Sequence, residues 1–282
     1  MIILAGTPIG NLGDATTRLR DALQSAKYIA AEDTRVTKHL CIALGIETAA
    51  KLISLNDFNE ASRVEQLLEI ASEDDLLVLS DAGMPTISDP GFKLVRAAVD
   101  AGIEVTALPG PSAPIMALAI SGLPSDRFTF EGFMPRKAGE RARLLRELAN
   151  LPHTLIFFES PNRLVAALES VAAELPDREV AVARELTKKF EEVRRGKATD
   201  LLDWAERGVK GEIVLLIAGV AKGSEADSAQ SEAKLDTAVS AVFQKIAEGA
   251  STKDAVAEES KTKGIQKREL YEAVLKAKNT TE

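Results

Sequence analysis

Residues 80–91 read SDAGMPTISDPG; they follow the unbroken apolar run LLVL at 76–79 and precede a segment of helical spacing at 92–101. The run is the length of a buried strand, so the chain passes from strand to loop to helix. Two aspartates, two glycines and two prolines in twelve positions suit neither a helix nor a strand. The loop therefore stands open at the C-terminal end of a strand, where open α/β sheets bind ligands. Gly83 and Gly91 admit close backbone approach, and Pro85 and Pro90 stiffen the turn. Asp81 and Asp89 offer carboxylates to hydroxyls or to a cation.

Working outward, the same arrangement recurs. The run IILA at 2–5 ends in the Gly/Pro loop 6–14, and either Asp14 or Thr16 is placed to cap the helix that follows. A strand over 28–31 ends at Glu32-Asp33-Thr34-Arg35, and the next helix stops at Gly45. A short strand over 52–55 and a helix over 60–72 lead to the central loop; VTAL at 105–108 then runs into PGPSAP at 109–114. Alternation of strand and helix predicts a mostly parallel sheet covered on both faces, with the loops after residues 5, 79 and 108 converging on one pocket.

Beyond residue 122 the pattern changes. Strands are expected over 128–132, 154–158, 180–184, 191–195 and 213–218, with helices from the basic stretch 135–143 to 151, from 163 to 174 and over 201–207. More strands per residue and fewer crossover helices predict a second, mixed α/β domain. Residues 219–230 are small, polar and acidic and read as a linker. Three helices follow, over 233–247, 252–259 and 266–276, either as a capping bundle or as a helix-turn-helix carrying Lys267, Arg268 and Tyr271. The expected division is 1–118, 119–220 and 221–282.

Composition narrows the classes. Hydrophobic residues are 45% and charged residues 28%, as in globular proteins, and no run reaches the length of a membrane span. With no leader pattern and a single cysteine, Cys41, set in an apolar helical face, the expectation is a cytoplasmic protein with neither disulfide framework nor metal centre. A formal net charge of -8 argues against indiscriminate nucleic-acid binding and leaves room for a local basic patch.

The order of motifs is more specific than any one of them. TPIGNLGD, AAEDTR, SDAGMPTISDPG, PGPSA, GLPSDRF, EGF, ESPNR, ARELTKKFEE and KGEIVLLI follow one another along the chain. The sequence resembles the tetrapyrrole-methylase superfamily, and within it the ribosomal RNA small subunit methyltransferase I family, from residue 3 to 218, with a similar helical extension. The resemblance implies a two-domain fold, a parallel-sheet domain followed by a mixed-sheet one. It also implies a homodimer and an S-adenosylmethionine-dependent methyltransferase acting on the ribose 2′-hydroxyl of a cytidine in 16S rRNA of the small ribosomal subunit. No GxGxxG is present, in keeping with a superfamily that does without that fingerprint.

Carried over by motif, the donor pocket would comprise Pro8 and Ile9, Ser80, Asp81, Ala82, Gly83 and Met84, and Ser112 and Ala113. Phe158, Leu186, Gly211, Glu212 and Ile213 would join them from the second domain. A ribose hydroxyl is a weak nucleophile, so a base or an alkoxide-stabilising cation is expected among the charged strand ends Asp33, Arg35, Glu159, Arg163, Arg184, Glu185 and Lys188. Of these, Glu185 or Glu159 is placed to accept the proton, and Lys188 or Arg163 to stabilise the oxygen or bind phosphate, with a structural ion pair as the alternative for each. Arg136, Lys137, Arg141 and Arg143, with Arg163, Lys188, Lys189, Arg194, Arg195 and Lys197, supply basic groups for RNA phosphates, or else a solvated charged face. Two competing readings keep the fold: a methyltransferase for a tetrapyrrole or other small acceptor, and a non-catalytic RNA-binding protein.

Overall fold

The computed structural model describes residues 1–220 and 225–280, with side chains described for 1–220 and 234–278. Five short strands form the first sheet: β1 (Ile2–Ala5), β2 (Tyr28–Ala31), β3 (Lys51–Ser54), β4 (Leu76–Leu79) and β5 (Val105–Leu108). All pair in parallel, in the order β3-β2-β4-β1-β5. The register is level at the C-terminal end, since Ala5 lies opposite both Leu79 and Leu108, and Ala31 opposite Leu79. The loops after β1, β2, β4 and β5 therefore leave the sheet side by side.

Side chains alternate along each strand, and the two faces bury different partners. Ile2, Ala30, Ile53, Leu76 and Val78 pack on Leu67 and Ala71 of α3 (Glu60–Glu73) and on Leu94 and Ala98 of α4 (Phe92–Asp100). Ala5, Ile29, Leu77 and Leu79 pack on Leu19 and Leu23 of α1 (Thr17–Ser25) and Cys41 of α2 (Thr34–Leu44). Thr16 caps α1, its hydroxyl accepting from the Leu19 N–H at 3.1 Å. At the end of α2, Gly45 takes the left-handed conformation, φ 69°.

The helix α5 (Ala113–Ser121) starts above the first sheet and buries Ala117 and Leu118 against the second, among Ile156, Ala181, Val214 and Leu216. That sheet comprises β6 (Phe128–Phe133), β7 (Thr154–Glu159), β8 (Glu179–Arg184), β9 (Glu192–Lys197) and β10 (Ile213–Ile217), in the order β6-β7-β10-β8-β9. Only β6 and β7 are parallel, so the sheet is mixed. Its other face is covered by α6 (Ala138–Leu148), α7 (Leu164–Glu174) and α8 (Ala198–Glu206) around the fully buried Phe157. The fold class is α/β, a parallel sheet beside a mixed one, with a helical C-terminal end.

Several boundaries differ from expectation, among them those of the helix expected over 201–207, observed over Ala198–Glu206, and of the helix expected over 252–259, observed over Thr252–Lys263. The helix expected to reach residue 151 ends at Leu148, because Pro152 disfavours helical geometry at Leu151 and the Leu151 N–H instead turns back to the Leu148 carbonyl at 3.1 Å. The expected linker over 219–230 is shorter: α9 (Glu225–Ala247) already includes residues 225–230, while residues 221–224 lie outside the described residues. α9 packs with α10 (Thr252–Lys263) and α11 (Lys267–Thr280) around Ala238, Val242, Val256, Leu270 and Val274. Among the described residues no helix is long and apolar enough to cross a membrane.

Candidate active site

The three loops singled out in the sequence are tied together by backbone hydrogen bonds. Thr7 and Gly83 form an isolated antiparallel bridge, the Thr7 N–H donating to the Gly83 carbonyl at 2.9 Å and the Gly83 N–H to the Thr7 carbonyl at 3.1 Å. The Gly6 N–H donates to the Leu108 carbonyl at 3.1 Å. Gly6 and Gly110 touch so closely that a Cβ on either would lie 2.7 Å from the Cα of the other, so only glycine fits at both. Loop 80–91 is anchored from outside as well: Glu60, buried, accepts from the Gly91 and Lys93 N–H groups at 2.9 Å each and so caps α4 from a distant element.

Between these loops and the strand ends of the second sheet lies a cavity of about 370 Å³. Ile9, Ala82, Gly83, Met84, Ser112 and Ala113 line it from the first sheet's side. Phe158, Leu186, Gly211, Glu212 and Ile213 line it from the other. Of the pocket residues expected from sequence, Pro8, Ser80 and Asp81 are not on the wall. Ser80 is buried beneath the loop, its hydroxyl donating to the Gly83 carbonyl at 3.3 Å. Asp81 turns to the next strand end and accepts from the Asp33 N–H at 3.1 Å. Pro8 follows directly on the Thr7 bridge residue.

The wall also holds Asp89, read from the sequence as a carboxylate open to hydroxyls or a cation but not counted in the donor pocket, and residues that sequence reasoning passed over: Ile87 and Ser88 within the central loop, Pro114, Phe133, and Ser160 with Pro161. Phe133 follows a bulge in the β6–β7 pairing at Gly132, φ 68°, which turns its ring toward the cavity, where it meets Phe158 at 5.5 Å between centroids. The ring is 58% exposed. The motif EGF was visible in the sequence; the bulge that aims its phenylalanine was not.

The three residues expected to do chemistry fall into two groups. Glu159 is on the wall, its side chain wholly buried, 3.1 Å from the Arg163 guanidinium and accepting from the Ser160 N–H at 2.8 Å. Burial raises its pKa, against the opposing pull of the Ser160 N–H and of Arg163 and Arg141. Glu185 and Lys188 are not on the wall. Burial opposes charge on both, but Lys188 Nζ, 3.1 Å from Glu185 and 3.0 Å from Glu212, outweighs it, so the Glu185 pKa is lowered and that of Lys188 raised. Both groups are held charged, in a clamp that ties the β8–β9 connection to the start of β10. Glu185 and Thr187 have φ of 50° and 67°, and Thr86 and Ser88 of 75° and 64°. Strain in non-glycine residues is thus concentrated in two loops that bound the cavity.

Asp89 is half-buried on the wall, and its carboxyl is pushed up to about 7. Burial is the main cause, followed by repulsion from Glu32; Asp81 and Asp57 add to it, while the nearby Ser80 hydroxyl opposes it.

The basic residues separate by exposure. Arg141 is 7% exposed and is used internally, donating to the Arg136 carbonyl at 2.7 Å and to Ser170 Oγ at 3.1 Å. Arg163 is likewise committed, to Glu159 and to the Met134 carbonyl. Arg136, Lys137, Arg143 and Lys189 are exposed; Lys137 pairs with Glu140, Arg143 with Glu147, and Lys189 lies over the Phe190 ring.

The parallel sheet, its mixed neighbour and the glycine-rich crevice between them define a class, and comparison with known proteins agrees. The family described as Tetrapyrrole (Corrin/Porphyrin) Methylases matches residues 1–202. Among solved structures, the methyltransferase CobJ is similar at TM-score 0.59 and 22% identity, covering 78% of this chain and 94% of its own. Diphthine synthase is similar at TM-score 0.56 and 13% identity, covering 77% and 89%. At those identities the likeness is one of fold.

Closer relatives are named Ribosomal RNA small subunit methyltransferase I. The protein of Mycobacterium tuberculosis (strain CDC 1551 / Oshkosh) is 45% identical over 99% of this chain and 96% of its own. That of Bacillus subtilis (strain 168) is 40% identical over 97% and 93%, and that of Escherichia coli O157:H7 46% identical over 77% of each. The chain belongs to the ribosomal RNA small subunit methyltransferase I family of the tetrapyrrole methylases, a family of methyltransferases.

Proposed function

We propose that the protein transfers a methyl group from S-adenosylmethionine to the ribose 2′-hydroxyl of a cytidine in 16S rRNA of the small ribosomal subunit. The observation that carries this reading is agreement along 77 to 99% of the chain with relatives that bear the ribosomal RNA name, at 40 to 46% identity. Tetrapyrrole enzymes share the fold at far lower identity, CobJ at 22%.

The cavity suits the donor. Its volume of about 370 Å³ lies in the range of small-molecule sites. Ile9, Leu186 and Ile213 offer apolar wall to an adenine, and Gly83 and Gly211 bring main-chain groups to the surface for the ribose and the amino-acid end. Ile9, Ala82, Gly83, Met84, Ser112, Ala113, Phe158, Leu186, Gly211, Glu212 and Ile213 are the residues we assign to the donor, with Pro8, Ser80 and Asp81 holding the loops behind them. Holding the acceptor oxygen in line with the methyl carbon supplies much of the rate.

On the acceptor side, exposed Phe133 is a platform for an unstacked base, and Arg136, Lys137, Arg143 and Lys189 are phosphate contacts. Glu159 with Arg163, and Glu185 with Lys188, act as fixed ion pairs that set the shape of the crevice. The folding units are 1–118, 119–220 and 221–282, and the protein works as a homodimer in the cytoplasm, where its substrate is assembled. Phe92 and Val99, exposed two turns apart on α4, provide apolar surface for the dimer contact.

The test is to incubate the purified protein with methyl-labelled S-adenosylmethionine and small-subunit particles, then map the labelled nucleotide. Label on a single cytidine ribose is the expected outcome. Label on porphyrin or corrinoid acceptors with none on RNA overturns the reading.

A further inference from the structure

Three carboxyl side chains line the cavity: Asp89, Glu159 and Glu212. Glu159 is taken up by Arg163 and the Ser160 N–H, and Glu212, largely exposed, by Lys188. Asp89 is different. Among the described residues no cation lies within ion-pair distance of it. What faces it is the Ser80 hydroxyl together with Glu32 after β2, Asp57 after β3 and Asp81 after β4. Arg35, the cation whose charge reaches Asp81, is held by Asp33 at 2.6 Å.

Asp89 is also held in place. It sits between Ser88, in the left-handed conformation, and Pro90, whose carbonyl accepts from the Thr86 N–H at 3.3 Å. Glu60 pins the far end of the loop through Gly91. A carboxylate on the wall of a cavity, free of cations and fixed by a strained loop, has the placement of a general base.

We propose that Asp89 is the proton acceptor for the hydroxyl that becomes methylated, an inference that rests on the methyltransferase reading above. When bound, S-adenosylmethionine supplies an electrophilic methyl carbon: the oxygen–carbon bond forms as the carbon–sulfur bond breaks, and the electron pair stays on sulfur, which leaves as a neutral thioether. Asp89 takes the hydroxyl proton as that oxygen loses its hydrogen. The Asp89 acid then returns the proton to water at the cavity mouth, beside the exposed Ile87 and Ser88. Burial and neighbouring carboxylates bring its proton affinity near neutrality, where a base is both ionised and effective.

The experiment compares the unsubstituted protein with Asp89→Asn and Asp89→Glu. Donor binding is measured by calorimetry, and single-turnover methyl transfer to small-subunit particles is followed from about pH 5.5 to 9. Carboxyl carbon resonances are titrated in the same proteins by NMR. Asp89→Asn is expected to bind the donor within about threefold of the unsubstituted protein and to transfer methyl at least about 100-fold more slowly. Asp89→Glu recovers part of the rate. The unsubstituted rate rises with pH through an apparent pKa near 7, matched by a carboxyl resonance that Asp89→Asn lacks. Transfer by Asp89→Asn within about threefold of the unsubstituted rate overturns the inference, as does loss of donor binding, which makes Asp89 a donor contact instead. If the unsubstituted protein itself transfers nothing to RNA, the ribosomal reading falls and the inference with it; survival of transfer in Asp89→Asn alone removes only the inference.

Discussion

Asp89 costs the folded protein stability whenever it is ionised, because burial and the carboxylates of Glu32, Asp81 and Asp57 favour its neutral form. Its pKa rises on folding from 3.8 to about 7, so the folded state binds the proton more tightly than the unfolded chain. The destabilisation is therefore absent well below the unfolded value, grows as pH climbs between the two, and is complete above the folded one. Asp89→Asn removes it. Thermal melts should show Asp89→Asn more stable than the unsubstituted protein at about pH 8, with a smaller gain at about pH 5. An equal gain at both, or a loss at the higher pH, means that Asp89 is not held in an acid-raising environment. Glu185 shows the opposite balance: Lys188 outweighs the cost of burial and keeps it ionised, so its carboxylate contributes to stability.

β6 illustrates what an element adds that its residues do not reveal. Its bulge turns Phe133 onto the cavity against Phe158 and leaves the ring exposed enough to receive a base. Phe133→Ala should weaken use of the RNA acceptor by about 1–3 kcal/mol, read as a raised KM for small-subunit particles. Donor affinity in calorimetry should change little; a loss confined to donor binding would assign the ring to the donor instead. Much of the architecture was legible because it follows from local pattern. LLVL at 76–79 had to be a buried strand, Thr16 and Gly45 bound helices as their chemistry requires, and the loops after β1, β4 and β5 meet because a level parallel register leaves them nowhere else to go. Long-range partners were not legible. Glu60 as the cap of α4, Arg141 turned inward on α6, and Asp89 rather than Asp81 on the cavity wall depend on residues distant in the chain.

Over the whole molecule, a net charge of -8 has to coexist with the polyanionic substrate proposed for it. The structure divides the basic residues into those that build the fold and those that face solvent. Arg141 belongs to the first group, with three hydrogen bonds, to Ser170, Pro135 and Arg136. Arg136, Lys137, Arg143 and Lys189 belong to the second, and the ion pairs of Lys137 with Glu140 and of Arg143 with Glu147 are exposed, worth about 0.2–1 kcal/mol and readily exchanged for phosphate. Replacing these four by Glu should leave the melting temperature nearly unchanged while weakening RNA binding. The slope of log affinity against log salt should become shallower by about 0.7 for each single-strand phosphate that the variant no longer neutralises. Arg141→Ala should do the reverse, costing about 1.5–3 kcal/mol in denaturant unfolding and altering RNA affinity only as far as the fold is lost. Binding that keeps its full salt slope after the fourfold replacement would place the RNA on another face, such as that of Arg194 and Lys197 on β9, and the acceptor would then approach the cavity from the side opposite Phe133.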